Sequence, residues 1–586
     1  MRTIVTDTYD FPTLIRDRNG YVDKTALLHR LISRGDGSLF FMSRPRRFGK
    51  SLMISTLEQI FMGNKALFKG LAIAKTTYDW KTYPVLRLDM SQVRAPDVAG
   101  CRRVLCGLLA DVGREYGLDL SSIDNPGRAL GLLIDAMTSG GNRVVVLVDE
   151  YDAPIGGLLG RPEMLEEVRT ILHDFYLMLK VKSSNIHFLM MTGVSKFTKL
   201  SVFSGMNNLT DISMSDVYAH LLGYTREEIE SNFRPHIKAF ADKLKQAPST
   251  ILADLLAWYD SYRFSPESDV RVSNPVSVGR ALQERRFYGF WDATGSATLI
   301  VERLRKLGRL PDEIEGIKAF PKKLDVCDAK TLPFAALMYQ GGYLTIKGVD
   351  PSGELVLGIP NREVRLAIYD GLVESLLKGS ADEFTSAAVG LKRQLAEGGD
   401  DSSLNRVLKS VFAMIPHEWR LKSEAEAKRY FLLFMKMAGA TINPEVESVN
   451  GRADAILETA QTVFIFEFKY RKSAKAALKQ CHARKYALPY ANDSRRIVYV
   501  GVNYDTLKHN VDTLNDTLND TLNDTLNSRV LAIVRQRPGV RRPDLMTALG
   551  VSESTIARSL RTMKAQVEFR GAAKTGGYYV LDKVNR

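Results

Sequence analysis

Cysteine is scarce, with four in 586 residues, too few for disulfides to scaffold a chain of this length. Cys101 and Cys106 lie within one helical pattern with no histidine or second cysteine pair nearby, which argues against zinc. Cys327 stands alone, and Cys481 has only His482 beside it. Long apolar runs are missing too. None approaches the ~18 residues of a membrane span, and MRTIVTDTYDFPTLIRDRNG has no apolar core of the kind a signal peptide carries. The expectation is a reduced, soluble, cytoplasmic protein with no membrane partner.

What is present looks globular. The chain is 45% hydrophobic and 25% charged, which excludes a wholly disordered chain or a fibre. Its length exceeds one core, so several domains are expected. A formal net charge of +14 points to a polyanionic partner. Apolar runs at Leu39–Ser43, Val85–Asp89, Val144–Asp149 and His187–Thr192 alternate with amphipathic helices, the pattern of a parallel α/β sheet. Runs such as VVVLV mark strands covered on both faces. From about Arg226 to Glu374 the pattern turns helical, then includes a hairpin, YLTIKGVDPSGELVLGI.

After a polar stretch, Glu397 to Ser403, a second α/β block carries strands at Ala453–Leu457, Val463–Tyr470 and Arg496–Val502. Asp512–Asn527 is DTLN repeated four times. Leucine every fourth residue drifts around a helix, and Thr, Asn and Asp are poor helix formers, so a linker is expected, with a short helical stalk as the alternative. Arg529–Arg586 counts 12 Lys+Arg against 4 Asp+Glu, a net +8. Over half of the chain's excess charge therefore sits in a tenth of its length.

The first chemical constellation is RPRRFGKS (Arg44–Ser51), between a strand and a helix. Gly49-Lys50-Ser51 has the form of a phosphate-binding loop. Backbone N–H groups and a helix N-terminus meet phosphate oxygens, Lys50 reaches the terminal phosphates, and Ser51 holds Mg²⁺. The common pattern has glycine six residues before the lysine, where this chain has Arg44. About a hundred residues on, RVVVLVDEYD ends a strand in Asp149-Glu150. Asp149 there suits support of Mg²⁺ and Glu150 activation of a water; the plainer alternative is a solvated acidic turn. Thr192, ending a third strand, is placed to sense a γ-phosphate or simply to begin a turn.

The segments FPTLIRDRNGYVDKTALLHRL, RPRRFGKSLMISTLEQIF, LVDEYDAPI and TGVSKFTKLSVFSGMNNLTDIS resemble the bacterial AAA-ATPase-like family, as do WYDSYRF, NPVSVGRAL, YQGGYLTI and GIPNREVR further on. The resemblance covers about residues 4–370. It implies ATP as cofactor, makes the Arg-Pro-Arg-Arg-Phe loop a normal form, and puts Tyr21-Val22-Asp23-Lys24 near the adenine. Arg46, Arg47 and Arg263 are candidates for an arginine finger.

The second constellation is GRADAILE followed by VFIFEFKY, read as a hairpin. Strand alternation puts Phe464, Phe466 and Phe468 on one face, and Glu467 and Lys469 on the other beside Asp454. Asp454 with Glu467 suits Mg²⁺, and Lys469 suits assisting attack on a phosphodiester; the alternative is a hairpin with solvated charges. The spacing resembles the PD-(D/E)XK nuclease superfamily over about residues 411–503. The preceding helix offers Glu426 as a further metal ligand, and the following one carries Gln480 and Tyr486.

The third is a basic helix-turn-helix in Arg529–Arg586. Gly550 makes the turn, Ser552 caps the third helix, and Ile556, Leu560 and Met563 face the core. Ser554, Thr555, Arg558 and Arg561 face away, and VEFRGAAKTGGYYVL forms a wing with Arg570 and Lys574. This resembles a winged helix-turn-helix, suited to DNA or to protein contacts.

The expected fold is thus α/β: a P-loop NTPase parallel sheet with a helical, winged lid, then a small α/β PD-(D/E)XK-like nuclease fold and a winged helix-turn-helix. The expected boundaries are 1–225 for the ATPase, 226–375 for the lid, 376–505 for connector and nuclease, 506–528 for the linker and 529–586 for the tail domain. The expected activity is ATP hydrolysis coupled to Mg²⁺-dependent DNA cleavage; the alternative is a nucleotide-dependent regulator whose nuclease-like domain is inactive. DNA is the expected partner, with a homo-oligomer or a regulatory protein as further candidates.

Overall fold

The computed structural model describes the chain except for residues 1–2, 18–19, 36, 94–96, 157, 159–160, 197–207, 292–300, 302–303, 305–313, 325–332, 378–385, 388, 391–405, 407, 411, 414–422, 438–439, 441, 449–450, 460, 491–492, 494, 506–509, 565, 573–575 and 582–586. Cys327, the 397–403 stretch and Lys574 lie outside the described residues. It divides into two compact units, Met1–Leu372 and Val373–Arg586. None of its described helices is long and apolar enough to cross a membrane.

In the first unit, strands β1 (Ser38–Ser43), β2 (Val85–Asp89), β3 (Val144–Asp149), β4 (Ile186–Gly193) and β5 (Thr210–Asp211) form a parallel sheet in the order β2-β3-β4-β1-β5. Every residue of β3 is buried, as the unbroken apolar run requires of a strand covered on both faces. Short helices α1 (Phe11–Arg16) and α2 (Thr25–Ile32) precede β1, and α3 (Lys50–Phe61) follows it. Helices α4 (Val98–Glu115), α5 (Pro126–Thr138) and α6 (Pro162–Val181) bury leucines and isoleucines in one core with the sheet.

Helices α7 (Arg226–Leu244), α8 (Pro248–Tyr259) and α9 (Pro275–Glu284) share a second core, to which Ile4 and Val22 return. Thr225 and Glu228 close a reciprocal capping box on α7, and Asn274 caps α9. The expected hairpin is present as β7 (Thr345–Val349) and β8 (Leu355–Gly358), with β6 (Ile317–Ala319) on the outer side of β8. Gly353 supplies the left-handed turn residue at φ 82°. Helix α10 (Arg362–Leu377) follows.

In the second unit, β9 (Ile442–Ser448), β10 (Gly451–Glu458), β11 (Thr462–Tyr470), β12 (Arg496–Asp505) and β13 (Asn510–Thr517) form a mixed sheet in the order β13-β12-β11-β10-β9. Only the β11–β12 pair is parallel. Helix α11 (Glu424–Met437) covers one face, with the Phe431 ring 4.8 Å from Phe466 and 5.1 Å from Phe468. Helix α12 (Ala474–Arg484) covers the other, through Leu478 and Cys481 against Val463, Ile465 and Tyr499.

Helices α13 (Leu518–Gln536), α14 (Arg542–Leu549) and α15 (Glu553–Thr562) and the hairpin β14 (Val567–Arg570) with β15 (Gly577–Val580) bury a separate small core. Ile556, Leu560 and Met563 belong to it, as their spacing predicts. Gly550 ends α14 at φ 67°. Ser552 stands at the N-cap of α15, but its hydroxyl meets Ser554 and Thr555 hydroxyls and caps no backbone N–H.

The DTLN repeats do not form the expected linker. The first copy lies within β13, paired antiparallel to β12, and the helix begins inside the second copy. Weak local propensity is overridden by tertiary context. β12 offers an open edge, Val511 and Thr513 point inward, and Leu518 joins the core under α12. Arg496 donates to the Thr517 hydroxyl at 2.7 Å, and His482 meets Asp516 at 2.7 Å.

Candidate functional site: a phosphate loop and a carboxylate cluster

The β2-β3-β4-β1-β5 order sets β4 between the strand that feeds the loop and the strand that ends in Asp149. Gly49 caps α3 at φ 94°, a conformation that favours glycine. Arg44 is not in a left-handed conformation; Arg47 is, at φ 66°. An arginine therefore fits where the common loop has glycine. Its guanidinium is buried, donates to Ser213 O at 2.6 Å, and lies 4.1 Å from the centre of the Phe264 ring. Burial lowers its pKa to about 10.

Lys50 is buried and donates to Arg44 O and Pro45 O, both at 3.0 Å. Burial pulls its pKa down, against the opposing charges of Asp149 and Glu150. Ser51 lies in the first turn of α3, half-buried. The Thr192 hydroxyl donates to Asp149 Oδ1 at 2.6 Å, so these two residues form a unit across β3 and β4. Glu150 follows at φ 49°, and burial raises its pKa while the Lys50 charge opposes.

Of the three arginine-finger candidates, Arg47 donates to Phe290 O at 2.9 Å. Arg263 is buried and donates to Ser265 O and Pro266 O. Arg46 is exposed, and its charge acts on both Lys50 and Glu150.

Beside Gly49 and α3 opens an apolar cleft whose walls include Tyr9, Leu14, Tyr21, Val22, Met53 and Leu221. Tyr21, Val22 and Lys24 line it, but Asp23 does not. The Asp23 carboxylate accepts from Thr25 N and Oγ1 and from Ala72 N at 2.7 Å. It ties the start of α2 to a neighbouring turn, so the expectation for this residue is corrected to a structural tie.

In the second unit the β10–β11 ladder ends at Ala455 and Phe466, while β11 continues beside β12 to Tyr470. Past that fork the Phe468 N–H has no ladder partner on β10 and donates to Asp454 Oδ2 at 2.8 Å. Oxygens of Glu424, Asp454 and Glu467 all lie within 4.8 Å of one another. Lys469 Nζ donates to Glu467 Oε1 at 2.8 Å, to Phe468 O at 2.7 Å and to Glu424 Oε1 at 3.2 Å. Glu467 is 2% exposed, and its Oε2 is buried without a hydrogen-bond partner.

Burial, then the Asp454 charge, pushes the Glu467 carboxyl up to about 7. Burial disfavours the Lys469 charge, but its bonds to Glu467 and Glu424 outweigh that and hold the ammonium above its usual range. Three convergent carboxylates with one unpartnered oxygen fit a hard divalent cation, which takes oxygen ligands.

The third carboxylate is Glu424, not the expected Glu426. Glu424 lies seven residues, two helical turns, before the buried Phe431 and so shares its sheet-facing side. Glu426 is rotated away from that line and is not in the cluster. The seven-residue spacing from Glu424 to Phe431 is the sequence signal that separates the two acids. On α12, Gln480 donates to the Tyr486 hydroxyl at 3.3 Å.

On α15, Arg558 and Arg561 are exposed and Thr555 is half-buried. On the hairpin, Arg570 is exposed, pairs with Glu568 and lies 5.2 Å from the Tyr579 ring centre.

Residues 6–203 match the family described as predicted AAA-ATPase, and residues 422–513 match the PD-(D/E)XK nuclease superfamily. A relative from Azotobacter chroococcum mcd 1, described as an uncharacterized protein in the vnfD 5′ region, is 33% identical over 495 residues, 83% of this chain and 92% of its own. Among solved structures, the Aeropyrum pernix ORC2 protein in ADPNP–ADP complexes aligns at 15% identity over 60% of this chain and 93% of its own, with a TM-score of 0.23. Drosophila ORC bound to AT-rich DNA and Cdc6 aligns at 12% identity over 62% of this chain and 94% of that one, with a TM-score of 0.19. Both scores are below the level at which whole chains superpose. The loop with its Asp149–Thr192 pair, the matched segments and the Azotobacter relative agree: the chain belongs to the predicted AAA-ATPase family and carries a PD-(D/E)XK nuclease superfamily domain in its second half.

Proposed function

We propose that this protein is an ATP-hydrolysing, divalent-cation-dependent DNA nuclease that docks on DNA through its C-terminal domain. The observation that carries the reading is the Glu424–Asp454–Glu467 cluster with Lys469 against it and Glu467 Oε2 buried without a partner. A solvated surface hairpin would not bury a carboxylate in that state.

In the ATPase unit, Gly49, Lys50 and Ser51 receive the phosphates at the N-terminus of α3, and the base lies in the apolar cleft beside Gly49. Asp149, fixed by Thr192, supports Mg²⁺. Glu150, made more basic by burial, takes the proton of the attacking water. Thr192 connects the γ-phosphate position to Asp149.

In the nuclease domain, Glu424, Asp454 and Glu467 would hold Mg²⁺, which supplies Lewis-acid stabilisation of the charge that develops on the phosphate. Lys469 keeps its proton and orients the nucleophile beside Glu467. The C-terminal helices and hairpin form a winged helix-turn-helix that presents Thr555, Arg558 and Arg561 from α15 and Arg570 from the wing to DNA, and the local net charge of +8 supports that partner. Nucleotide state gates access of DNA to the Asp454 site.

The test is cleavage of supercoiled plasmid with Mg²⁺, with and without ATP, by the wild type, Glu150→Gln and Asp454→Ala. Cleavage lost in Asp454→Ala is the expected result. A wild type that hydrolyses ATP but leaves plasmid intact with Mg²⁺ or Mn²⁺ would make the protein a nucleotide-dependent regulator. Cleavage and DNA binding unchanged in Lys50→Ala would remove the gating.

A further inference from the structure

Three arginines stand in RPRRFGKS, and two of them act as anchors. The buried Arg44 guanidinium donates to Ser213 O and faces the Phe264 ring, and Arg47 donates to Phe290 O. The backbone between them is pinned as well. Pro45 is buried and packs against Gly342, where an added Cβ would stand 2.7 Å from the proline Cβ. Arg46 O accepts from Asn274 Nδ2 at 3.4 Å. The Arg46 side chain is the exposed one of the three, and it makes no hydrogen bond or ion pair with a described residue.

Its place in the loop says what that charge can meet. Lys50 Nζ lies 3.0 Å from Pro45 O. That carbonyl belongs to the peptide bond carrying the Arg46 N–H, so Arg46 Cα lies within about 6 Å of the Lys50 ammonium. The arginine side chain is long enough to cover that gap. Its charge acts on Lys50 and Glu150 together, the groups assigned above to the terminal phosphates and to the attacking water. A guanidinium stays charged, and its planar fork of N–H donors matches the oxygens of a phosphate. Pinned backbone on both sides lets the loop aim that fork at little entropic cost.

The geometry points to Arg46 as a catalytic arginine supplied by the phosphate loop itself, contacting the γ-phosphoryl oxygens of ATP bound to the same chain. The inference rests on the ATPase reading and adds to it the group that meets the developing charge. In the step it serves, water adds to the γ-phosphorus as the bond to the β,γ-bridging oxygen breaks. Glu150 takes the proton of that water, ADP and inorganic phosphate leave, and Arg46 keeps its proton throughout.

The test is Arg46→Ala in the full chain. ATP turnover, read by phosphate release, should fall about a thousandfold. Affinity for a non-hydrolysable ATP analogue should fall about tenfold by calorimetry. ADP affinity should stay at the wild-type value, because ADP has no γ-phosphate for the arginine to meet, and this also shows that the loop is intact. Mixing Arg46→Ala with Lys50→Ala, which carries Arg46 but lacks the phosphate lysine, should restore nothing.

Unchanged turnover in Arg46→Ala would overturn the inference. So would an equal loss of ADP and analogue affinity, which would make Arg46 a support for the loop, and so would turnover restored by mixing, which would place the arginine on a neighbouring chain's nucleotide. A wild type that prefers the ATP analogue to ADP without hydrolysing ATP, with the preference lost in Arg46→Ala, would sink the hydrolysis reading and leave the γ-phosphate contact standing.

Discussion

The carboxyl of Glu467 should make divalent-cation binding depend on pH in a range where ordinary carboxylates no longer titrate. Burial and the neighbouring Asp454 charge raise it from 4.5 to about 7. That difference corresponds to about 3 kcal/mol of disfavoured negative charge. A cation that binds the cluster must displace the Glu467 proton below pH 7 but not above it. The dissociation constant for Mn²⁺ should therefore rise about fivefold between pH 7 and pH 6, and flatten above about pH 8. The assay is calorimetric titration of the full chain with Mn²⁺ in the absence of nucleotide, repeated in buffers from pH 5.5 to 8.5. Lys469→Met provides an internal check. Lys469 lowers the Glu467 value through its hydrogen bond and charge, so its removal should move the break above pH 7. Affinity that is flat over this range, or a break near 4.5, would refute the reasoning, because Glu467 would then titrate like a solvated carboxylate.

Three further outcomes are expected. Thr192→Val removes the 2.6 Å hydrogen bond to Asp149 with little change of shape; the ATP turnover number should fall about 10- to 100-fold with KM nearly unchanged, read by phosphate release. Glu363 is buried, accepts from the Phe290 N–H through Oε1, leaves Oε2 without a partner, and is pushed up to about 7 by burial. A raised carboxyl contributes stability below its ordinary pKa of 4.5 and loses it as pH climbs to 7, so Glu363→Gln should gain up to about 3 kcal/mol relative to wild type between pH 4.5 and pH 8 in denaturant melts. A constant difference across that range would contradict it. Arg558→Ala with Arg561→Ala should weaken DNA binding and reduce its salt slope by about two while circular dichroism stays unchanged; an unaltered slope would assign the C-terminal domain to a protein partner.

Much of the architecture was legible because its signals are local. Val85–Asp89 and Val144–Asp149 end where their apolar runs end. Alternation in VFIFEFKY assigned Glu467 and Lys469 to the face opposite the three phenylalanines, and Phe431 packs on those rings. Other features depended on distant partners. Asp23 follows a tyrosine and a valine that line the cleft, yet its carboxylate turns to Ala72. The choice between Glu424 and Glu426 is a question of helix phase, settled by where Phe431 docks. Lys428 carries no motif, yet its ammonium stands 3.4 Å from Asp454 Oδ1. The DTLN segment departs furthest from its local signal: its composition reads as irregular, while an open edge on β12 recruits its first copy into the sheet.

That segment also makes one tetrapeptide serve two purposes. Leu514 is 44% exposed on the strand, Leu518 is buried under α12, and Leu526 packs against the small C-terminal core. Because the copies are identical, whole units of the coding sequence can be gained or lost without leaving frame and without changing the residue type at any remaining contact. Each unit added to the helical portion would lengthen it by about 6 Å and turn everything beyond it by about 40°. Variation in copy number would therefore act as a heritable adjustment of spacing, altering where the basic tail stands relative to the carboxylate cluster while leaving both cores chemically untouched.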